Sequence, residues 1–362
     1  DNTFPSYDLP VDLPVFPAAF HLDLDNDGLK DFVASPNEDQ NGENYSVGWF
    51  YRNTTSNENP VFEFVQNDFL VETMVDLGGG AQAAIADVNG DGLDDLVIGN
   101  FSLFAPGGAS DPRLFLFLNV GTATQPAFEL TEDDFLNMNQ FATTAFAFAP
   151  AFGDLDGDGD LDILVGENGG KLFYAENTAG PGNPMTFGPW TYDWQGIDVG
   201  LASTPTIVDL DRDGLPDLII GERNGNINFF KNTGTAEAAV FGSDPEEAPN
   251  NFFLGEVDTR IPGSTIGYST PAFFEQNGAW RLLTGTNNGR LELYSDVEAN
   301  IYGQFTPLNE DVGGLRAGER SHPATADLNH DGYLDVVVGN ARGGISIYAT
   351  DLVIDPSVST ED

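Results

Sequence analysis

Short apolar runs alternate with acidic, glycine-bearing loops along almost the whole chain. One pattern recurs: Asp-x-Asp/Asn-x-Asp-Gly-x-x-Asp, three or so apolar residues, then usually Gly. It stands at Asp23–Asp31, Asp87–Asp95, Asp154–Asp162, Asp209–Asp217 and Asp327–Asp335. Each copy is preceded by a short apolar segment such as Pro205-Thr206-Ile207-Val208 and followed by another such as Leu218-Ile219-Ile220-Gly221. A Gly-initiated alternating segment ending near Asn comes next, as in Gly170–Asn177 and Gly225–Asn232. The unit reads as strand, acidic loop, strand, turn, strand.

A sixth copy, Pro271–Gly278 continuing to Gly285 and Gly289–Tyr294, keeps its strands and loses its acidic loop. The period is about 61 residues, longer than the ~40–45 of WD40 blades. Aromatic segments in the spacers, such as Val61–Val65 and Ala127–Leu130, predict a fourth strand. The expected fold is therefore all-β, a six-bladed β-propeller of four-stranded antiparallel blades, with seven blades as the alternative. Repeats start near residues 16, 80, 147, 203, 269 and 321 of a single domain, 1–350, and 351–362 reads as an acidic tail. Thr3–Leu9 resembles the fourth-strand segments, so the N-terminal strand is expected to complete the last blade and close the ring.

Composition narrows the class. The 58 acidic and 13 basic side chains give a formal charge of −45, which excludes nucleic acid as a partner, since phosphate binding runs on clustered Lys and Arg. The 28 Phe and 40% hydrophobic residues supply a core, and 42 Gly with 22 Pro make the chain turn-rich without low complexity. There is no Cys, so disulfides, thiol nucleophiles and Cys-based zinc sites are excluded, and stability needs another staple. The longest strongly apolar stretch, Ala145–Phe152, is far short of a membrane helix, so no membrane insertion is expected. Asp1 does not begin a signal peptide, and the chain reads as a processed, soluble product.

The loops have the chemistry of calcium sites. Calcium takes six to eight oxygens, and carboxylates at loop positions 1, 3, 5 and 9 with a main-chain carbonyl at 7 supply them. The expected sets are Asp23, Asp25, Asp27, Asp31 and the carbonyl of Leu29; Asp87, Asn89, Asp91, Asp95 and Leu93; Asp154, Asp156, Asp158, Asp162 and Asp160; Asp209, Asp211, Asp213, Asp217 and Leu215; and Asp327, Asn329, Asp331, Asp335 and Tyr333. The spacing resembles the start of an EF-hand, but position 12 reads Ala34, Ile98, Val165, Ile220 and Val338 where that loop carries Glu. Plain Asp/Gly hairpin turns are the simpler alternative, though bare carboxylates this crowded repel one another. About five Ca²⁺ ions are expected, as staples in place of disulfides. Scarce cytosolic calcium points to an extracellular or cell-surface location.

The repeats resemble the FG-GAP/VCBS family of calcium-binding propeller repeats, found in integrin alpha-subunit heads and secreted bacterial proteins, and Phe152-Gly153 keeps the Phe-Gly pair. The resemblance covers about residues 16–350. It implies loop-bound calcium and an extracellular role that is often adhesive or carbohydrate-related; the copy near Glu275 departs from the pattern and inherits no ion.

No catalytic motif stands out. His21, His322 and His330 are scattered among repeat elements, which suggests structural roles, and catalytic carboxylates cannot be picked from so many acids. The expectation is a non-enzymatic module that binds an extracellular glycan or protein, with a polysaccharide lyase or hydrolase as alternative. Enlarged turns at Ser35–Val47 and Asn100–Arg113 are expected opposite the acidic loops, either as a ligand surface or as tolerated insertions. Trp190–Trp194 reads as a sugar-stacking platform or as blade packing, and sequons at Asn44, Asn53 and Asn100 are expected to be exposed. A further alternative is a homo-oligomer or fibre, formed if Thr3–Leu9 pairs with a neighbour's last blade.

Overall fold

The structure is a computed structural model describing residues 4–13, 18–36, 48–70, 77–103, 110–244, 254–315 and 318–355. Among the described residues, all regular elements longer than a turn or two are strands, and no helix is long and apolar enough to cross a membrane. The repeats become antiparallel sheets in chain order. The first holds β1 (Ala18–Leu22), β2 (Asp31–Ser35), β3 (Trp49–Asn53) and β4 (Phe62–Gln66). The second holds β5 (Gln82–Ala86), β6 (Asp95–Gly99), β7 (Leu114–Asn119) and β8 (Phe128–Glu132). The third holds β9 (Ala149–Gly153), β10 (Asp162–Gly166), β11 (Leu172–Ala175) and the short β12 (Thr191–Tyr192). The fourth has three strands, β13 (Thr204–Val208), β14 (Asp217–Gly221) and β15 (Ile227–Phe230). The fifth holds β16 (Thr270–Gln276), β17 (Ala279–Gly285), β18 (Leu291–Ser295) and β19 (Thr306–Asn309). The sixth has β20 (His322–Ala326), β21 (Tyr333–Gly339) and β22 (Ile345–Val353). Among the described residues the fourth and sixth sheets thus have three strands where four were expected, and β22 runs three residues into the segment read as tail.

The chain forms two compact units, residues 1–76 and 77–362. Within the second unit the first strands of five sheets touch in a cycle, β5 to β9 to β13 to β16 to β20 and back to β5. Buried clusters follow the same cycle. Val97 and Leu116 pack with Ile163 and Phe173, Leu164 with Leu218 and Phe230, Ile219 with Leu282, Leu283 with Val336, and Leu96 with Val337. The second strand of each repeat therefore buries both faces, which is why it reads as an unbroken apolar run rather than an alternating one. Burying one Leu or Ile this way contributes roughly 1.5–3 kcal/mol.

The Gly that ends each second strand of the cycle has a steric cause. A Cβ at Gly99, Gly166, Gly221 or Gly285 would strike the backbone carbonyl of Phe148, Ser203, Ser269 or Ser321, just ahead of the next first strand. At Gly339 it would strike Ala81, ahead of β5, which closes the cycle. Side chains add cross-links between neighbouring first strands: Gln82 Nε2 donates to the Ala147 carbonyl, Thr204 Oγ1 to Ser269 and Thr270 Oγ1 to Ser321.

The first unit packs on itself. Phe32, Trp49, Tyr51 and Phe62 form its core, with Val11 and Leu13 against it. The expectation that Thr3–Leu9 supplies a strand to the last blade is corrected here. Thr3 lies outside the described residues, and Phe4–Leu9 forms bends and turns. This segment is held on its own sheet: Phe4 lies 4.8 Å from the Phe32 ring, Tyr7 Oη accepts from Phe62 N–H at 2.7 Å, and Asp8 accepts from Phe64 N–H at 2.8 Å. Those side-chain bonds occupy the edge of β4 without a backbone ladder.

Candidate functional site

The acidic loops join first to second strands, and their hydrogen bonds repeat. The position-1 carboxylate accepts the N–H of the position-6 glycine: Asp23 from Gly28, Asp87 from Gly92, Asp154 from Gly159, Asp209 from Gly214 and Asp327 from Gly332. Position 5 accepts from position 7, as Asp27 from Leu29, Asp91 from Leu93, Asp158 from Asp160, Asp213 from Leu215 and Asp331 from Tyr333. Each loop thus curls around its own carboxylates.

Position 9 does something the motif alone did not reveal. Asp31, Asp95, Asp162 and Asp217 are fully buried. One oxygen of each accepts the N–H of position 2 (Leu24, Val88, Leu155, Leu210), and the other accepts from the Asn at or just after the end of the third strand: Asn53, Asn119, Asn177 and Asn232. Asp335 keeps the first of these bonds, to Leu328. The position-9 carboxylate is thereby a strut between loop and third strand. Burial pushes Asp162 up to about 7 and Asp217 up to about 6, and raises Asp95 and Asp335 as well.

Three loops bring carboxylate oxygens within 4.8 Å of one another: Asp23, Asp25 and Asp27; Asp154, Asp156 and Asp158; and Asp209, Asp211 and Asp217. These oxygen-only sets fit a hard cation such as calcium. Asp211 Oδ1 fits the same demand, being buried without a hydrogen-bond partner. Where Asn replaces Asp at position 3, Asn89 turns its amide onto Asp91 at 2.9 Å and Asn329 accepts from Asp331 N–H. At the copy lacking an acidic loop, Glu275 and Glu298 are both taken by Arg212, which also lies over Trp280.

One further position sorts the loops. It precedes the third-strand Asn and is Arg52, Leu118, Glu176 or Lys231. Arg52 reaches Asp25 at 3.2 Å, and Lys231 contacts Asp211 and lies 2.7 Å from Asp213, so the fourth loop carries a cation of its own. In the third loop Glu176 adds negative charge, and Asp156 is raised by burial and by Asp158, Asp154 and Glu176.

At the other end of the cycle, the segments entering the first strands line a small cavity of about 30 Å³. Arg320, Tyr268, Phe101 and His322 are its large side chains, and no Asp or Glu is among its described lining residues. His322 is buried with Nδ1 unpartnered, and desolvation pushes it down to about 4. The buried Glu167 and Glu222 beside this end cap turns, accepting from Gly169 and Lys171 N–H and from Asn224 N–H.

Several expected surface features have other duties. Of the turn Ser35–Val47 only Ser35 and Pro36 are described, and Asn44 lies outside the described residues. Asn53 and Asn100 are buried: Asn53 donates to the Ser56 carbonyl, Asn100 donates to Leu77 and accepts from Arg113 N–H, so neither sequon is exposed. Trp190 and Trp194 serve as packing, with Trp194 stacked on Tyr174 at 4.8 Å and Trp190 Nε1 donating to the Leu136 carbonyl.

Residues 23–98 match the model of the FG-GAP-like repeat, and residues 321–352 match that of the FG-GAP repeat. Two stretches of the chain thus match FG-GAP repeats. Among solved structures, the chain is similar to a putative exo-β-1,3-galactanase from Bifidobacterium bifidum, at 12% identity over 79% of this chain and 98% of that one, TM-score 0.45. It is also similar to a glycoside hydrolase family 43 arabinoxylan arabinofuranohydrolase from Bacillus subtilis, at 14% identity over 80% of this chain and 66% of that one, TM-score 0.45. A GH43_1 enzyme from Xanthomonas citri matches at 14% identity over 78% and 92%, TM-score 0.42. The expectation of a non-enzymatic protein is corrected by these findings, because the structures it is similar to include glycoside hydrolases.

Proposed function

We propose that this chain is an extracellular, calcium-stapled β-propeller whose cycle of five sheets forms the propeller proper and whose cavity-bearing end engages a glycan. The observation that carries the calcium part is the convergence of oxygens from Asp residues at odd loop positions in three separate loops, each in a hairpin joining first and second strands. Bound there, calcium supplies neutralising charge; the chain's own Asp residues hold the loop curl, and position 9 ties it to the third strand. A protein ligand, and assembly into oligomers, belong to the same reading of an extracellular module.

Hydrolysis is the second reading, supported by a carboxylate group near the cavity-bearing end. Arg113 pairs with Asp111 at 2.9 Å and Asp133 at 3.0 Å, while burial raises the neighbouring Asp134. A carboxyl group raised by burial and standing close to other carboxylates is the kind of pairing that glycoside hydrolysis uses. The test is a panel of neutral and acidic polysaccharides assayed for binding and for reducing-sugar release, in calcium, with the Asp134→Asn protein alongside. Binding to a glycan supports the proposal, and release abolished in Asp134→Asn with binding retained supports hydrolysis at that group. Absence of binding and of release across the panel contradicts both.

A further inference from the structure

Each first strand of the cycle is entered through a residue in the left-handed conformation two positions upstream: Gly80, Ala147, Ala202, Tyr268 and Arg320. All five line the cavity. The positions are equivalent in backbone and differ in what they carry, so they set the shape of the mouth. Three are Gly or Ala. The two large ones come from consecutive repeats and touch, with the Arg320 guanidinium carbon 4.1 Å from the Tyr268 ring centre and 5.5 Å from that of Phe101. Phe101 reaches this place because Gly80 has no side chain; a Cβ there would come within 2.6 Å of the ring.

Arg320 is unusual in a chain with 13 basic and 58 acidic residues. Among the described residues it makes no ion pair and no side-chain hydrogen bond; two aromatic faces hold it instead. Stacking fixes the plane of a guanidinium and leaves its N–H fork free for a planar, doubly accepting group. In the same lining, His322 offers a second polar group, only 9% exposed and unpartnered at Nδ1.

We propose that this mouth binds the carboxylate of an acidic sugar, a terminal uronate residue, with Arg320 as its forked partner. This rests on the glycan reading above and names its ligand class. The cavity is small, so the carboxylate is the part of the ligand that enters beside Arg320, with the sugar ring against the small Ala147 and Ala202 of the mouth. A chain of net charge −45 repels extended polyanions, so the fitting ligand carries its carboxylate at an end.

The experiment titrates the full chain, in constant millimolar calcium, with galacturonate- and glucuronate-ended disaccharides and with their methyl esters, by calorimetry. The expected result is binding of the acids at least tenfold tighter than of the esters. That preference is lost in Arg320→Gln at unchanged melting temperature, and reduced several-fold in Arg320→Lys, which keeps the charge and loses the fork. If Arg320→Gln does not fold, the acid-to-ester ratio of the wild-type chain decides. Equal binding of acid and ester, binding of neither, or a full preference surviving in Arg320→Gln overturns the inference. Binding of neutral glycans without acid preference does so while leaving the proposed function standing.

Discussion

The loops at 154–162 and 209–217 share a motif, a hairpin setting and a buried position-9 strut, yet they present opposite surroundings to a cation. The first is faced by Glu176, the second by Lys231, whose ammonium contacts Asp211 and Asp213. The residue responsible lies outside the motif, at the end of the third strand. A ligand pattern therefore defines where a cation fits, while its neighbour decides how strongly one is needed. A tethered ammonium competes with a free ion for the same oxygens, whereas an added carboxylate strengthens the field that attracts it.

The largest effect expected is one that ignores this difference. Asp162→Ala and Asp217→Ala each strand two buried backbone N–H groups, at about 1–3 kcal/mol apiece, so both should lose that much stability in chelator, measured by denaturant unfolding; Asp162→Ala should lose a similar amount in calcium, and Asp217→Ala more, since Asp217 is also one of the converging oxygens. Dependence on calcium alone would assign the strut role wrongly.

The next effect separates the loops. Asp156→Ala should lower stability in calcium and hardly at all in chelator; the calcium-linked part is about 2.7 kcal/mol when the ion stands at a hundred times its dissociation constant. Asp211→Ala should lose stability in chelator as well, because Lys231 loses a partner. Thermal melts in both conditions check this, and identical behaviour of the two variants would erase the distinction.

A charge exchange is subtler. Lys231→Glu should tighten calcium at the fourth loop, and Glu176→Lys should weaken it at the third, each by about tenfold or 1.4 kcal/mol. Calcium titration with metal counting reads both. Unchanged affinities would mean that the neighbours do not set the field.

A pH effect that does not involve calcium guards the others against misreading. His322 is held well below its usual value, at about 4. The unfolded chain therefore takes up a proton near pH 6.5 that the folded chain refuses until about pH 4, and stability falls as pH drops through that window. The loss is about 1.4 kcal/mol per pH unit at most, in calcium or chelator alike. His322→Gln should flatten that part of the pH profile, followed by melting temperature between pH 7 and 5; a profile unaltered by the substitution would place the acid sensitivity elsewhere.

Strands, acidic loops and the eroded fifth sheet were legible because each rests on local pattern, and β4 and β8 arose where aromatic spacer segments predicted them. The size of the cycle differs from the six blades expected, with seven as the alternative, and two positions in each repeat follow the five-sheet cycle instead. Five second strands end in Gly, whereas the first repeat has Ser35 there. Five first strands carry a small residue at their third position, Ala84, Ala151, Thr206, Ala272 or Ala324, whereas β1 has Phe20. Gly and small residues are what close approach between neighbouring sheets requires. The placement of Phe4–Leu9 was not legible, since it depends on Tyr7 and Asp8 side chains meeting the edge of β4. Nor were the roles of Lys231 and Glu176, or the stacking of Arg320 between Phe101 and Tyr268, because each joins residues far apart in the chain.

The most direct test of the account is thermal unfolding of the wild-type chain in millimolar calcium against excess chelator, with bound metal counted on the same sample. The account predicts a clear rise of melting temperature in calcium and bound ions that fall in number when Asp156 is replaced by Ala. No rise, with no metal retained, would contradict it and leave the Asp loops as turns that hold themselves by their own hydrogen bonds.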